Sequence, residues 1–204
     1  MSSLLDLPDE LILKVLSYTE TVDILRCGQV SKRIRTISND NSLFQTVNLS
    51  NKYLKSDLVA TILNKGCKRL KLSNSFIQGK LSLVQKSQLI KLDLTNCKEK
   101  EISYGVVEEL LASCRSLKKL SLKGLPLTSK RVACICKNSK TLQVLFVDYS
   151  KHEEYWHKKI IKICREMKLL LFGDSSNLPF PEYRKNNNIC FSTQLTKKEE
   201  AIYY

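Results

Sequence analysis

The sequence predicts an α/β repeat protein in two parts: a module of three short helices, then a solenoid whose curved parallel sheet carries helices on its outer side. Two observations lead there. Apolar residues recur at helical spacing as far as Ile37, and from Phe44 onward a leucine pattern with strand-like alternation returns at regular intervals. A third supports them: the segments between copies of that pattern again have helical apolar spacing.

The first helix is predicted from Leu7-Pro8-Asp9-Glu10-Leu11. Proline suits a first helical position, where its missing N–H costs nothing, and two acids in the first turn favour the positive end of the helix dipole. Leu11, Ile12, Val15 and Leu16 follow as one apolar stripe. Thr21 is the expected N-cap of a second helix through Val22, Ile24 and Leu25, which Gly28 interrupts. Val30, Ile34 and Ile37 predict a third, with Lys32, Arg33 and Arg35 on its other face, and Asn39-Asp40-Asn41-Ser42 ends the unit. Three helices of this length cannot close a core of their own, so their apolar stripes need a neighbouring domain or a partner protein.

The repeat begins at once. Leu89, Leu92 and Leu94 set the pattern L-x-x-L-x-L, followed by Asn96-Cys97. Copies stand at Phe44, Val47 and Leu49; at Cys67, Leu70 and Leu72; at Leu117, Leu120 and Leu122; at Leu142, Leu145 and Val147; and at Met167, Leu170 and Phe172. The last positions of successive copies are 23, 22, 28, 25 and 25 residues apart. This spacing resembles the leucine-rich repeat. The last two apolar positions alternate along a short strand and point inward, while their neighbours face out. Val106 to Leu111 and Val132 to Cys136 supply intervening helices, and each strand–helix unit buries its face by stacking on the next. The expected boundaries are 1–43 for the helical module, 44–173 for the repeats and 174–204 for a tail. No linker separates the first two, so a rigid junction is expected.

The order Leu7-Pro8-Asp9-Glu10-Leu11, Val15-Leu16, Val30-Ser31-Lys32-Arg33-Ile34, Asp40 and Leu43-Phe44 resembles the F-box. The chain departs from that family's usual cysteine at Ser31 and usual tryptophans at Ile34 and Phe44, keeping apolar character at two of the three. Together with Ser42 to Leu49 and Ser121 to Leu127, the segment is similar to F-box proteins that carry leucine-rich repeats, from about residue 4 to about residue 150. The resemblance implies a substrate receptor of an SCF-type, cullin–RING ubiquitin ligase. The adaptor, and through it a cullin, would bind Leu7, Pro8, Asp9, Glu10, Leu11, Ile12, Val15, Leu16, Leu25, Val30 and Ile34.

Outward strand positions would line the concave face and meet the protein to be ubiquitinated. Arg69, Lys71, Ser73, Lys91, Asp93, Thr95, Lys119, Ser121 and Lys123 occupy them, and five of these nine are basic. Val144, Phe146, Asp148, Leu169 and Leu171 follow, so a basic patch adjoins an apolar one. The candidate substrate residues are Arg69, Lys71, Lys91, Asp93, Lys119, Lys123 and Phe146, suited to an acidic or phosphorylated segment with an apolar anchor. The same lysines also fit a solvated strand surface; sequence alone does not choose between the two.

Composition narrows the alternatives. With 43% hydrophobic residues the chain can bury a core, and its apolar runs are too short to cross a bilayer. Met1 to Asp6 lacks the pattern of a secretory signal, so a nuclear and cytoplasmic location is expected, with the eight cysteines reduced and acting as small buried hydrophobes. Cys134-Ile135-Cys136 is a weak half of a metal site, and no metal or cofactor is expected. The only histidines, His152 and His157, fall on a charged segment, and the six glycines form no phosphate loop, so the chain is expected not to be an enzyme. The net charge of +14 raises nucleic acid as a partner, but it is mostly lysine, scattered, and not interleaved with aromatics. Two other functions stay open: a non-degradative repeat scaffold, and a basic nucleic-acid-binding solenoid.

The tail carries Leu178, Phe180, Pro181, Ile189 and Phe191, which suit a cap folded back over Phe146 and Leu171. Deleting residues 174–204 should therefore cause aggregation, measured by light scattering of the purified protein; unchanged solubility would show that the tail covers nothing.

Overall fold

The computed structural model describes residues 4–82, 86–97, 105–138, 140–148, 155, 160, 169–173 and 189–191. A helical region comes first, with α1 at Asp9–Leu16, α2 at Thr21–Cys27 and α3 at Lys32–Ser38. A 3-10 turn at Asn41–Phe44 leads straight into β1, Thr46–Asn48. An α/β region follows: β2 (Tyr53–Lys55), α4 (Ser56–Asn64), β3 (Arg69–Lys71), β4 (Phe76–Gln78), β5 (Lys91–Asp93), α5 (Val106–Ser113), β6 (Lys119–Ser121), α6 (Ser129–Asn138), β7 (Val144–Asp148), β8 (Leu169–Gly173) and β9 (Ile189–Phe191).

The helix starts follow local chemistry. Pro8 precedes α1 in extended backbone, and Asp9 and Glu10 fill its first turn. Ser31 caps α3, its hydroxyl accepting the Ile34 N–H at 3.1 Å. That cap starts the helix at Lys32, so Val30 lies before it and faces solvent, against the expectation that it opens the apolar stripe of α3. Thr21 is likewise not a cap. Glu20 holds the extended cap position without a side-chain bond, its carboxylate turning to Lys52, while Thr21 is buried in the first turn.

Seven strands form one parallel sheet in the order β1-β3-β5-β6-β7-β8-β9, and β2 pairs with β4 in a separate parallel pair. Register aligns the middle position of each motif copy: Val47 pairs with Leu70, Leu70 with Leu92, Leu92 with Leu120, Leu120 with Leu145, and Leu145 with Leu170. All three apolar positions of the first five copies are buried, from Phe44, Val47 and Leu49 to Leu142, Leu145 and Val147. Met167 lies outside the described residues, as do His152 and His157. Truncating a buried leucine of this kind to alanine costs about 2–5 kcal/mol.

After β1, β3, β5 and β6 the chain turns through a left-handed residue two places beyond the last apolar position: Asn51, Asn74, Asn96 and Gly124. At Gly124 only glycine fits, because a Cβ there would come within 2.0 Å of Asn96 Oδ1. The next position closes the turn onto its neighbour: Ser75 Oγ donates to the Leu49 carbonyl at 2.6 Å and Cys97 Sγ to that of Leu72 at 2.9 Å. Burial pushes the Cys67 and Cys97 thiols up to about 12 and the Cys114 thiol up to about 11, as befits cysteines that act as core. Cys134 and Cys136, two apart on α6, point to different sides of that helix and do not converge on one ion.

One apolar cluster runs from Ile12 to Ile160 through both regions. Phe44 is fully enclosed at the junction, with the Lys65 ammonium 4.7 Å above its ring and bonded to Asn39 Oδ1 at 2.8 Å. Burial holds the Lys65 pKa below the usual lysine range. Of the tail, Ile189–Phe191 adds a strand to β8; its remaining residues lie outside those described.

A buried ion pair joins α5 to α6: Arg131 Nε lies 3.1 Å from Glu108 Oε1, and Arg131 Nη1 donates to the Pro126 carbonyl at 2.6 Å. Glu108→Ala removes a carboxylate from beside a guanidinium that is almost fully enclosed. The loss should be about 3–5 kcal/mol in urea unfolding; a change below about 1 kcal/mol would mean that water reaches the pair.

Candidate functional site

Two surfaces stand out, one on the helical region and one on the open face of the sheet. On α1 the expected apolar stripe divides. Ile12 (0% exposed) and Leu16 (4%) enter the core, as does Ile34 of α3 (4%), whereas Leu11 (51%), Val15 (44%) and Val30 (74%) face solvent. Ile12, Leu16 and Ile34 are therefore not available to a partner: an eight-residue helix packed on one side sends i and i+4 inward and their neighbours outward. Leu7 and Leu25 are half-buried against the core, while Pro8, Asp9 and Glu10 are exposed. Leu4, Leu5 and Tyr18 are exposed as well.

The geometry adds a residue not among the expected contacts. The Arg33 guanidinium gathers the start of the chain against α3. Its Nε and Nη2 donate to Asp9 Oδ1 at 2.8 and 2.6 Å, Nη2 also to the Leu7 carbonyl at 2.7 Å, and Nη1 to the Leu5 carbonyl. Asp9 thus turns toward Arg33. No spacing rule links positions 24 residues apart, which is why sequence left Arg33 among the surface charges.

On the sheet, register sets Arg69, Lys91 and Lys119 side by side in one row, and Lys71, Asp93, Ser121 and Phe146 in the next. Thr46, Asn48, Arg69, Lys71, Lys91 and Asp93 line a depression of about 120 Å³ over β1, β3 and β5. Arg69 is exposed, whereas Lys71, Lys91, Lys119, Lys123 and Phe146 are half-buried. Burial holds the Lys91 pKa below the usual lysine range; Lys119, Arg69 and Lys71 push the same way, and Asp93 opposes them. Four cations around one carboxylate make a region that favours anions.

Asp93 itself is 4% exposed and serves the sheet. Its Oδ2 accepts from Ser73 Oγ at 3.0 Å, and its Oδ1 accepts the Thr95 N–H at 2.9 Å and the Thr95 hydroxyl at 2.6 Å. Having donated its proton there, Thr95 accepts from Ser121 Oγ at 2.8 Å. The polar line Ser73–Asp93–Thr95–Ser121 stitches β3, β5 and β6 together, so Asp93 is a buried hub of the sheet at the floor of the depression. Adjacent strands bring facing side chains close enough to cover one another, and a short carboxylate is covered where a long lysine is not. The D-x-T spacing of an Asx turn was the available signal. Farther along, register places Val144 and Leu169 in the row of Lys119, and Leu171 in that of Phe146.

A helical module with outward apolar side chains thus runs without a linker into a parallel-sheet region. The comparison with protein families gives the module its class. A family model for the F-box-like domain matches residues 4–50, which span α1 to α3 and β1. The chain therefore carries an F-box-like domain, and F-box domains bind the small adaptor of SCF ubiquitin ligases.

The division of α1 is open to a direct check. Leu11→Asp should leave stability within about 0.5 kcal/mol in urea unfolding, while Ile12→Asp, which places a carboxylate in the core, should cost more than about 3 kcal/mol or prevent folding. Equal losses would show that Leu11 is core.

Proposed function

We propose that this chain is the substrate-recognition subunit of an SCF-type ubiquitin ligase. The observation that carries the reading is the F-box-like match over residues 4–50, whose outward side chains Leu11, Val15 and Val30 lie outside the chain's own core. The departures from the usual F-box residues fall on a helix cap, Ser31, and on two core positions, Ile34 and Phe44. They leave the docking face intact, which favours a working ligase subunit over a scaffold that has lost its adaptor.

In this reading residues 44–173 are a leucine-rich-repeat solenoid, supported by the common register of Val47, Leu70, Leu92, Leu120 and Leu145. Its open face selects the protein to be ubiquitinated. The crowded cations Arg69, Lys71, Lys91 and Lys119 suit an acidic or phosphorylated segment, and Phe146 marks the start of an apolar anchor. The chain acts in the nucleus and cytoplasm and catalyses nothing itself. It raises the effective concentration of substrate beside subunits that perform the chemistry, and a junction built around Phe44 keeps that distance fixed.

Affinity purification of the full chain with co-expressed adaptor tests both halves. Wild type should retain the adaptor, and Leu11→Asp with Val15→Asp should lose it while staying folded. The triple variant Arg69→Glu, Lys91→Glu, Lys119→Glu should keep the adaptor and lose acidic co-purifying proteins, scored by mass spectrometry. Adaptor binding that survives the Leu11 and Val15 changes would overturn the assignment.

A further inference from the structure

We infer that Arg33 is the positioning residue of the docking face, holding Leu4 and Leu5 where an adaptor meets them; the inference rests on the F-box reading above. Leu4–Asp6 is a 3-10 turn with no buried residue, and the Leu7 N–H donates to the Leu4 carbonyl at 3.3 Å. Leu4 and Leu5 are half-exposed apolar side chains at the start of the described chain, and burial does little to hold them. The Arg33 fork reaches this turn from α3. It crosses 24 to 28 residues of sequence to grip the Leu5 and Leu7 carbonyls and the Asp9 carboxylate at once.

The ion pair itself is open to water, with side chains 43% and 60% exposed, so its effect on global stability is small. Its consequence is geometric. Two carbonyls and a carboxylate on consecutive turns require a planar group with several fixed N–H directions, which lysine lacks. Released from the fork, the Leu4–Leu5 turn samples more conformations, and affinity for the adaptor falls in proportion to the fraction still competent to bind.

The test uses the full chain and purified adaptor in titration calorimetry. Arg33→Ala should weaken binding about tenfold if one conformer in ten remains competent, with a melting temperature close to wild type. Leu5→Ala should weaken it as well, and Arg33→Ala should then add little in the Leu5→Ala background, because both act through the same turn. Arg33→Lys, which keeps the charge and serves if the alanine variant folds poorly, should recover only part of the affinity. Without adaptor, amide exchange at residues 5–7 should accelerate in Arg33→Ala, a readout independent of the ligase assignment. Unchanged affinity in Arg33→Ala, or a full loss that persists in the Leu5→Ala background, overturns the role of Arg33 while leaving the F-box reading in place. Failure of wild type to bind adaptor removes both.

Discussion

A strand of three residues has no stability of its own, and β1, β3, β5 and β6 are each that short. Each exists because its central apolar residue is enclosed by the equivalents on either side, Val47 by Leu70, Leu70 by Leu92, Leu92 by Leu120. This nearest-neighbour stacking is the constraint on which everything else hangs. It demands a turn of constant shape after each strand, which the left-handed residues Asn51, Asn74, Asn96 and Gly124 provide. It also brings each turn's backbone close enough for Ser75 and Cys97 to bond the carbonyl of the turn before.

The same constraint explains the helical region. A stack has two ends, and an end strand leaves an apolar flank uncovered. β1 is the first strand, and the residues before it, Leu43 and Phe44, belong at once to the helical region and to the continuous core. Ile12, Leu16, Ile34 and Ile37 complete that core from the helices. Once those positions are committed inward, the remaining apolar residues of α1 have nowhere to go but out, and an exposed apolar surface results. Covering the first strand and exposing Leu11 and Val15 are two sides of one small helical unit.

On the open face, stacking in register has an electrostatic consequence. Arg69, Lys91 and Lys119 are neighbours because their strands pair, not because they attract one another. Their repulsion is moderated by the nearby Asp93, and it adds to the burial that holds the Lys91 pKa below the usual lysine range. Such an arrangement contributes little to folding and much to the sign of what the surface accepts.

The order of elements was legible in sequence because each depends on local periodicity. Leu7 to Glu10 marked the first helix, the spacing of Leu89, Leu92 and Leu94 marked β1, β3, β5, β6, β7 and β8 but not β2, β4 or β9, and Val106 to Leu111 marked a helix between two of them. That short-range pattern follows from the geometry of helix and strand, which any stretch carries within itself. Only tertiary structure decided which apolar residues of α1 are core and which are surface, since Leu11 and Ile12 are equally hydrophobic and differ only in the direction the packed helix gives them. It also decided that Asp93 is sealed inside a line of hydroxyls and that Arg33 binds residues near the start of the chain. Those outcomes depend on groups brought together from distant positions, and adjacency in space is what periodicity along the chain does not encode.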